Sequence, residues 1–376
     1  MRRGDGLRPI FVIGVLSLLI VGVAAEAKSD VLGATVDDLL ALDVRPIAIG
    51  HRGFGENLGE DPSRPIEDTV TAVRWGFRAG LSVVEVDVQR TADGEIVALH
   101  DDFLQPDFAC IHRLTLAKLR ARLPHVSTLQ AILLQARLFN WPWWPLRGIV
   151  IVELKAPSPL CDPDDTQEHA LVSSVAGVIR RVGMADQVIL TSFSPVLLLH
   201  ARAQIPEVVR SLTIDGLQFL TLEEIKTALK NRFGDVSVTP IEKHPGFGIP
   251  DLGLQWAEIG SLLRLPGYRS IGEMIATASG VGARVVEVER LMLLAPGGAQ
   301  LVELLHRVSL EVFGYTADDE EEWRLLKLLG VDAIYTNDVP LGVELQATIP
   351  PPEQPLAPRL SRRDHGHAGL NAVHGR

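Results

Sequence analysis

Short apolar β-rich runs alternate with helix-like stretches along most of this chain. That rhythm restricts the fold more than any other feature. The runs are IAIG (47–50), VVEVDV (83–88), EIVALH (95–100), IVIVEL (149–154), QVILTSF (187–193), VRSLTI (209–214), RVVEVE (284–289), LEVFGY (310–315) and DAIYTN (332–337). Between them, Thr69 to Ala79, Glu168 to Arg181 and Asp318 to Leu329 read as helices, and TLEE (221–224) reads as a capping box opening another. Such alternation builds a parallel α/β sheet, either open or closed into a barrel. A (β/α)8 barrel has eight strand positions, so with nine runs one is expected to be peripheral.

Two regions break the rhythm. Residues 216–283 are too long for one crossover and carry two helical segments with a Pro/Gly-rich loop, TPIEKHPGFGIPD (239–251). They follow a strand, so in a barrel they form an insertion on the C-terminal face, where such folds place their sites. Residues 348–376 are rich in Pro, Gly, Arg and His, with little to bury, and read as a disordered tail.

The N-terminus carries an address. Arg2 and Arg3 precede the apolar run PIFVIGVLSLLIVGVAA, which ends in Ala25-Glu26-Ala27. This reads as a signal peptide over residues 1–27, with an uncleaved anchor as the alternative. Either way, residues 28–347 are expected outside the cytoplasm as a periplasmic, secreted or membrane-anchored domain. Trp141, Trp143 and Trp144 could sit at a membrane interface, or pack beneath the strand that follows them; packing is the preferred reading. The net charge of −11 and the lack of a Lys/Arg-rich block argue against nucleic-acid binding. Two cysteines occur, Cys110 and Cys161, and either one disulfide or two buried thiols fits the sequence.

The chemistry lies where polar residues end strands. The first strand ends in Gly50-His51-Arg52-Gly53, the second carries Glu85 and Asp87, and the third ends in His100-Asp101. The fourth carries Glu153 and Lys155, the fifth ends in Ser192-Phe193, and the last in Thr336-Asn337-Asp338. A lone strand-end histidine is usually a structural hydrogen-bonding residue, and an acidic pair on a strand is usually a solvated face. Six such ends at one barrel mouth are harder to explain that way. Glu85, Asp87 and Glu153 would be three carboxylates in a confined space. A hard divalent cation, Ca²⁺ or Mg²⁺, would neutralise them; Arg52 and Lys155 are the metal-free alternative. Those two cations also suit a phosphate, and two histidines suit proton transfer to and from it.

In this order, the segments GHRG (50–53), EDT (67–69), EVDVQRTADGEIVALHDD (85–102), VELK (152–155), TSFSP (191–195), GYT (314–316) and IYTND (334–338) resemble the glycerophosphodiester phosphodiesterase family. The resemblance covers about residue 47 to 340. It implies a distorted TIM barrel holding one divalent cation on Glu85, Asp87 and Glu153. It implies that His51 and His100 are the acid–base pair and that Arg52 and Lys155 hold phosphate, with Glu67, Phe193 and Tyr315 as lesser members of the site. The implied reaction is attack by a substrate hydroxyl beside the phosphate, loss of the alcohol, then opening of the cyclic phosphate by water. The expected products are glycerol 3-phosphate and an alcohol. Turnover of lysophospholipids or other lipid phosphodiesters, and a binding protein without turnover, are the alternatives. A glycosidase is disfavoured, because Glu85 and Asp87 lie too close to flank a sugar bond. Three departures bear on substrate: Ile66-Glu67-Asp68-Thr69 stands where the family has Pro-Glu-Asn-Thr, the loop GFGENLGEDPSRP between His51 and Glu67 is long and acidic, and Tyr315 stands where many relatives have Trp. In such a barrel Cys110 and Cys161 follow neighbouring strands on one face, so their pairing is expected.

Overall fold

The computed structural model describes residues 34–348 except 43, 105–106, 108, 141–147, 156, 158–160, 163–165 and 221–266. The signal segment, Trp141, Trp143 and Trp144, the TLEE helix start, the 239–251 loop and the tail beyond Thr348 lie outside the described residues. No helix among the described residues is long and apolar enough to cross a membrane.

Twelve strands occur among the described residues: β1 (Ile47–Gly50), β2 (Val83–Arg90), β3 (Ile96–Ala98), β4 (Phe103–Leu104), β5 (Ala109–Cys110), β6 (Ser127–Thr128), β7 (Ile149–Leu154), β8 (Val188–Ser192), β9 (Val209–Ile214), β10 (Val285–Glu289), β11 (Glu311–Tyr315) and β12 (Ala333–Thr336). Eight of them close a parallel barrel in the order β1-β2-β7-β8-β9-β10-β11-β12, with β12 returning to β1. Helices between the strands cover the barrel. Val70–Ala79 and Glu320–Leu329 start on the side chains of Thr69 and Asp319, each accepting a backbone N–H of its first turn. Within 216–283, Ile271–Val281 is the helix that returns the chain to β10, so part of the expected insertion belongs to the barrel rhythm itself.

Period-two alternation sorts each strand into an outer and an inner set. Val84, Val86 and Val88 of β2, with Val150, Val152 and Leu154 of β7, belong to the core between barrel and helices. Ile47, Ile49, Val83, Ile149, Ile151, Ile189 and Phe313 fill the lower interior. The helix Val36–Leu40 packs Val36, Leu39 and Leu40 against these residues and closes the floor. Each fully buried aliphatic side chain contributes about 1.5–3 kcal/mol relative to exposure. The inward positions above this layer turn polar: Asp87, Glu153, Thr191, Thr213 and Glu287. Apolar packing thus sets the barrel's lower half and frees its upper half for chemistry.

The peripheral run is EIVALH, which holds β3, and it is not a barrel strand. It pairs antiparallel to β2, with Val88 opposite Ala98 and Arg90 opposite Ile96. β2 has eight residues, so its end projects past the barrel rim and the chain folds back over Thr91–Glu95. The Leu99 amide then donates to the Asp87 carbonyl at 3.0 Å, level with the acidic pair. The one peripheral run expected from the count is thus β3, the return strand after the TADG turn. His100 reaches the mouth because β3 runs downward from an overlong neighbour.

Candidate active site

The structure brings Glu85, Asp87 and Glu153 together, with one carboxylate oxygen from each lying within 4.8 Å of the others. Asp87 and Glu153 are register partners on β2 and β7, and Glu85 lies one inward position below Asp87. Glu85 and Asp87 are buried. The Glu85 carboxylate receives the Arg52 amide at 2.9 Å through Oε2, while its Oε1, like Asp87 Oδ2, accepts no hydrogen bond. Burial drives the Glu85 carboxyl well above its ordinary range, helped by Asp87, Asp68 and Glu153. Burial likewise raises Glu153 to about 7, against the pull of Lys155. One oxygen from each of three carboxylates within 4.8 Å, with Glu85 and Asp87 buried, is a donor set that suits a hard divalent cation.

Arg52 and Lys155 stand against the same acids without balancing them. Arg52 Nη1 bonds Glu67 Oε1 at 2.7 Å, and its Nε lies 3.5 Å from Asp87. Lys155 Nζ lies 3.3 Å from Asp87 and 3.2 Å from Glu153. Burial opposes both charges, but the surrounding carboxylates more than offset it and hold both groups protonated. Glu67, Asp68, Glu85, Asp87, Glu153 and Glu287 outnumber these two cations. The metal-free neutralisation weighed from sequence pairs part of these carboxyls, and burial favours the protonated form of others when no cation is bound.

The two histidines are held alike. His51 Nδ1 lies 2.8 Å from Asn337 Oδ1, and the Asn337 amide nitrogen donates to Asp318 Oδ2 at 3.1 Å. That second bond points the Asn337 oxygen at His51. The oxygen can only accept, so His51 carries its proton on Nδ1 and keeps Nε2 bare. Burial and the neighbouring Arg52 lower the His51 pKa to about 4. His100 Nδ1 lies 2.9 Å from Asp101 Oδ1. Gln89 Nε2 reaches the carbonyls of Leu99, His100 and Asp101 at 2.7–3.1 Å and pins the turn that carries them. Burial, then Lys155, Arg52 and His51, press the His100 pKa well below its ordinary value. Burial raises Asp101 to about 6.

Among the lesser candidates, Glu67 clamps Arg52 and also takes the Asn57 amide at 2.8 Å. Phe193 and Tyr315 meet edge to face, 6.2 Å apart, and Tyr315 donates its hydroxyl to the Ile214 carbonyl. Asp68, the departure from the usual Asn, sits at φ 53° and accepts the Asp87 amide through Oδ1 at 3.0 Å. A short side chain with an acceptor suffices for that bond. Cys110 and Cys161 form a disulfide with a Cα separation of 5.6 Å, tying β5 to the loop after β7.

Asn337, Asp101, Gln89 and Glu287 lie within the motifs and strand runs read from the sequence but carry no role there, and Asp318 is read only as the start of a helix. Glu287 was open to discovery: VVEVE repeats the alternating acids of VVEVDV. It is buried, accepts the Thr213 hydroxyl at 3.1 Å, and is held above the ordinary carboxyl range by burial. Asp318 lies on no strand and carries no local signal, because its function depends on Asn337.

A closed (β/α)8 barrel whose mouth gathers acids, phosphate-suited cations and two oriented histidines defines a class: phosphodiester hydrolases. Residues 51–235 and 272–341 match the Glycerophosphoryl diester phosphodiesterase family, and the chain belongs to it. The fold is shared with a glycerophosphodiester phosphodiesterase from Thermotoga maritima, at 17% identity and a TM-score of 0.54, covering 80% of this chain and 98% of that one. It is also shared with an Oleispira antarctica phosphodiesterase in complex with the product sn-glycerol-3-phosphate, at 17% identity and a TM-score of 0.53, covering 80% and 96%. No curated protein matches the chain.

Proposed function

We propose that the protein hydrolyses glycerophosphodiesters to glycerol 3-phosphate and an alcohol, using His51 and His100 as acid–base groups and one divalent cation, Ca²⁺ or Mg²⁺. The observation that carries this reading is the pairing of two Nδ1-anchored histidines with a carboxylate cluster that has unpartnered oxygens. The product bound to the Oleispira antarctica phosphodiesterase supports the same substrate class.

Glu85, Asp87 and Glu153 would hold the cation, which when bound polarises a phosphate oxygen and neutralises charge. Arg52 and Lys155 orient the phosphate, since each is kept charged by neighbouring acids. His51, with a neutral Asn337 behind it and Nε2 bare, takes the proton of the substrate hydroxyl beside the phosphate. That oxygen forms a bond to phosphorus as the bond to the alcohol oxygen breaks. His100 gives the departing oxygen its proton, because the Asp101 carboxylate stabilises its imidazolium and a bound phosphate anion offsets Arg52 and Lys155. Water then opens the cyclic phosphate with the two roles exchanged. The basic-then-apolar N-terminus and the Cys110–Cys161 disulfide support an exported protein, because disulfides persist in oxidising compartments.

The test is turnover of a phosphodiester panel by purified protein supplied with Ca²⁺ or Mg²⁺. His51→Ala and His100→Ala should each lower kcat at least about a hundredfold with unchanged circular dichroism. Chelator should abolish activity and added cation restore it. Wild-type rates in either variant, or full activity in excess chelator with no metal by elemental analysis, reject the mechanism.

A further inference from the structure

A second cluster of donors involves none of the carboxylates of the mouth. Cys110 ends β5, His112 follows in the single turn Ile111–Arg113, and Cys161 lies in the loop after β7. Both sulfurs and one His112 ring nitrogen lie within 4.8 Å of one another. Cys110 and Cys161 are buried. His112 Nδ1 is buried as well and makes no hydrogen bond, while Nε2 accepts a long one, 3.4 Å, from Arg113 Nε. Burial, then Arg113, lowers the His112 pKa, so the ring is neutral and offers a lone pair. The backbone fixes the trio. The Ile111 amide donates to the Asp102 carbonyl at 2.9 Å, and Arg113 Nη2 donates to the Cys161 carbonyl at 2.7 Å. The first bond closes the β4–β5 hairpin and the second ties the turn to the Cys161 loop. Neither runs through the sulfur–sulfur bond. The mechanism uses none of the three side chains.

We propose that, once the Cys110–Cys161 bond is reduced, Cys110, Cys161 and His112 bind one zinc-type divalent cation, with water in the fourth position. A dithiol reduces the bond by thiol–disulfide exchange and leaves as a disulfide itself. The two thiols released then bind the cation as thiolates and give up two protons. Ligation through His112 Nδ1 puts the ring proton on Nε2 and forfeits only the long bond from Arg113. Tetrahedral zinc bonds of about 2.0–2.3 Å set donors about 3.4–3.8 Å apart, inside the 4.8 Å that already encloses this trio. Two thiolates and an imidazole are soft and borderline donors, which take zinc and leave Ca²⁺ and Mg²⁺ to the all-oxygen set of Glu85, Asp87 and Glu153. Cation and disulfide are thus alternative fastenings for one joint. That joint secures the β4–β5 hairpin, which begins just after Asp101, the partner of His100.

Co²⁺ is the probe for the reduced protein, desalted free of dithiol under argon, with excess Mg²⁺ to occupy the acid cluster. Cobalt bound to thiolate absorbs intensely in the near ultraviolet, and cobalt bound to carboxylate does not. The reduced protein should develop this absorption and saturate at one equivalent, whereas the oxidised protein should show none. Loss of a ligand's outer partner already costs about 10–100-fold in affinity, so His112→Ala and His112→Gln should each bind at least about tenfold more weakly. Zn²⁺ should raise the urea midpoint of the reduced wild type, and raise it less in both variants. If the reduced chain is unfolded without metal, stoichiometric Zn²⁺ should restore circular dichroism in the wild type alone. No thiolate absorption in the reduced protein, or wild-type affinity in both variants, overturns the site. So does a Zn²⁺ effect on folding that is equal in all three proteins.

Discussion

Each ionisable group at this mouth is set by its nearest contact. His51 faces an amide that cannot give up a proton, and His100 faces a carboxylate that welcomes one. The acids respond to burial in a way that stability should report. Burial raises Glu153 to about 7 in the fold against an ordinary 4.5, and holds Glu85 and Asp68 well above their ordinary values. The folded, metal-free protein keeps protons that the unfolded chain releases, so this stabilisation is whole below about pH 4.5 and is lost as pH rises through the folded values. The lowered histidines act oppositely, adding stability as pH rises towards 6.5 and nothing further above it. Between pH 6.5 and 8 the acids therefore stand alone. The melting temperature in chelator should fall across that window, and saturating Ca²⁺ should remove the slope. A flat metal-free profile counts against the burial argument. At this scale the sequence exposed residue types well, since GHRG, EVD, HDD and ELK name most of the mouth. It gave no role to Asp318, which acts through Asn337, or to Gln89, which acts through the carbonyls of the returning strand.

Two short elements decide how those residues meet. The Gly50–Gly53 turn lifts Arg52 over the acids, with Arg52 itself at φ 48° and Gly53 at φ 90°. A Cβ on Gly53 would come within 2.9 Å of Ala72 and of the Val73 amide in the covering helix. Gly53→Ala should thus cost about 2–4 kcal/mol through left-handed strain and overlap with backbone. The urea midpoint measures this, and an unchanged midpoint would show that the turn relaxes freely. The β2–β3 hairpin is the other element. Its run EIVALH has the same apolar alternation as a barrel strand, so periodicity could not tell the two apart. The connection could: TADG, with Asp93-Gly94 at its tip, is too short for a parallel crossover and suits an antiparallel return.

Across the whole molecule, the disulfide joins segments 51 residues apart, bracketing β7 and the carboxylate of Glu153. Closing a loop of that length restricts the unfolded chain by up to about 4 kcal/mol in the chain-entropy view. Reductant, or the double substitution Cys110→Ser with Cys161→Ser, should lower the urea midpoint correspondingly. Equal midpoints with and without reductant, and equal free-thiol counts, would remove the bond from the account.

The sequence by itself determined the alternation, the inward acids and the order of the motifs. These are local properties, written in the spacing of side chains along one strand or helix. Only the tertiary structure decided that β2 outruns the rim, that β3 runs back far enough to set Leu99 and His100 level with the acids, and that Glu287 joins those acids from the far side of the barrel. Strand length relative to a closed sheet, and proximity across it, are properties of closure. No single segment carries them, because they exist only once β12 meets β1.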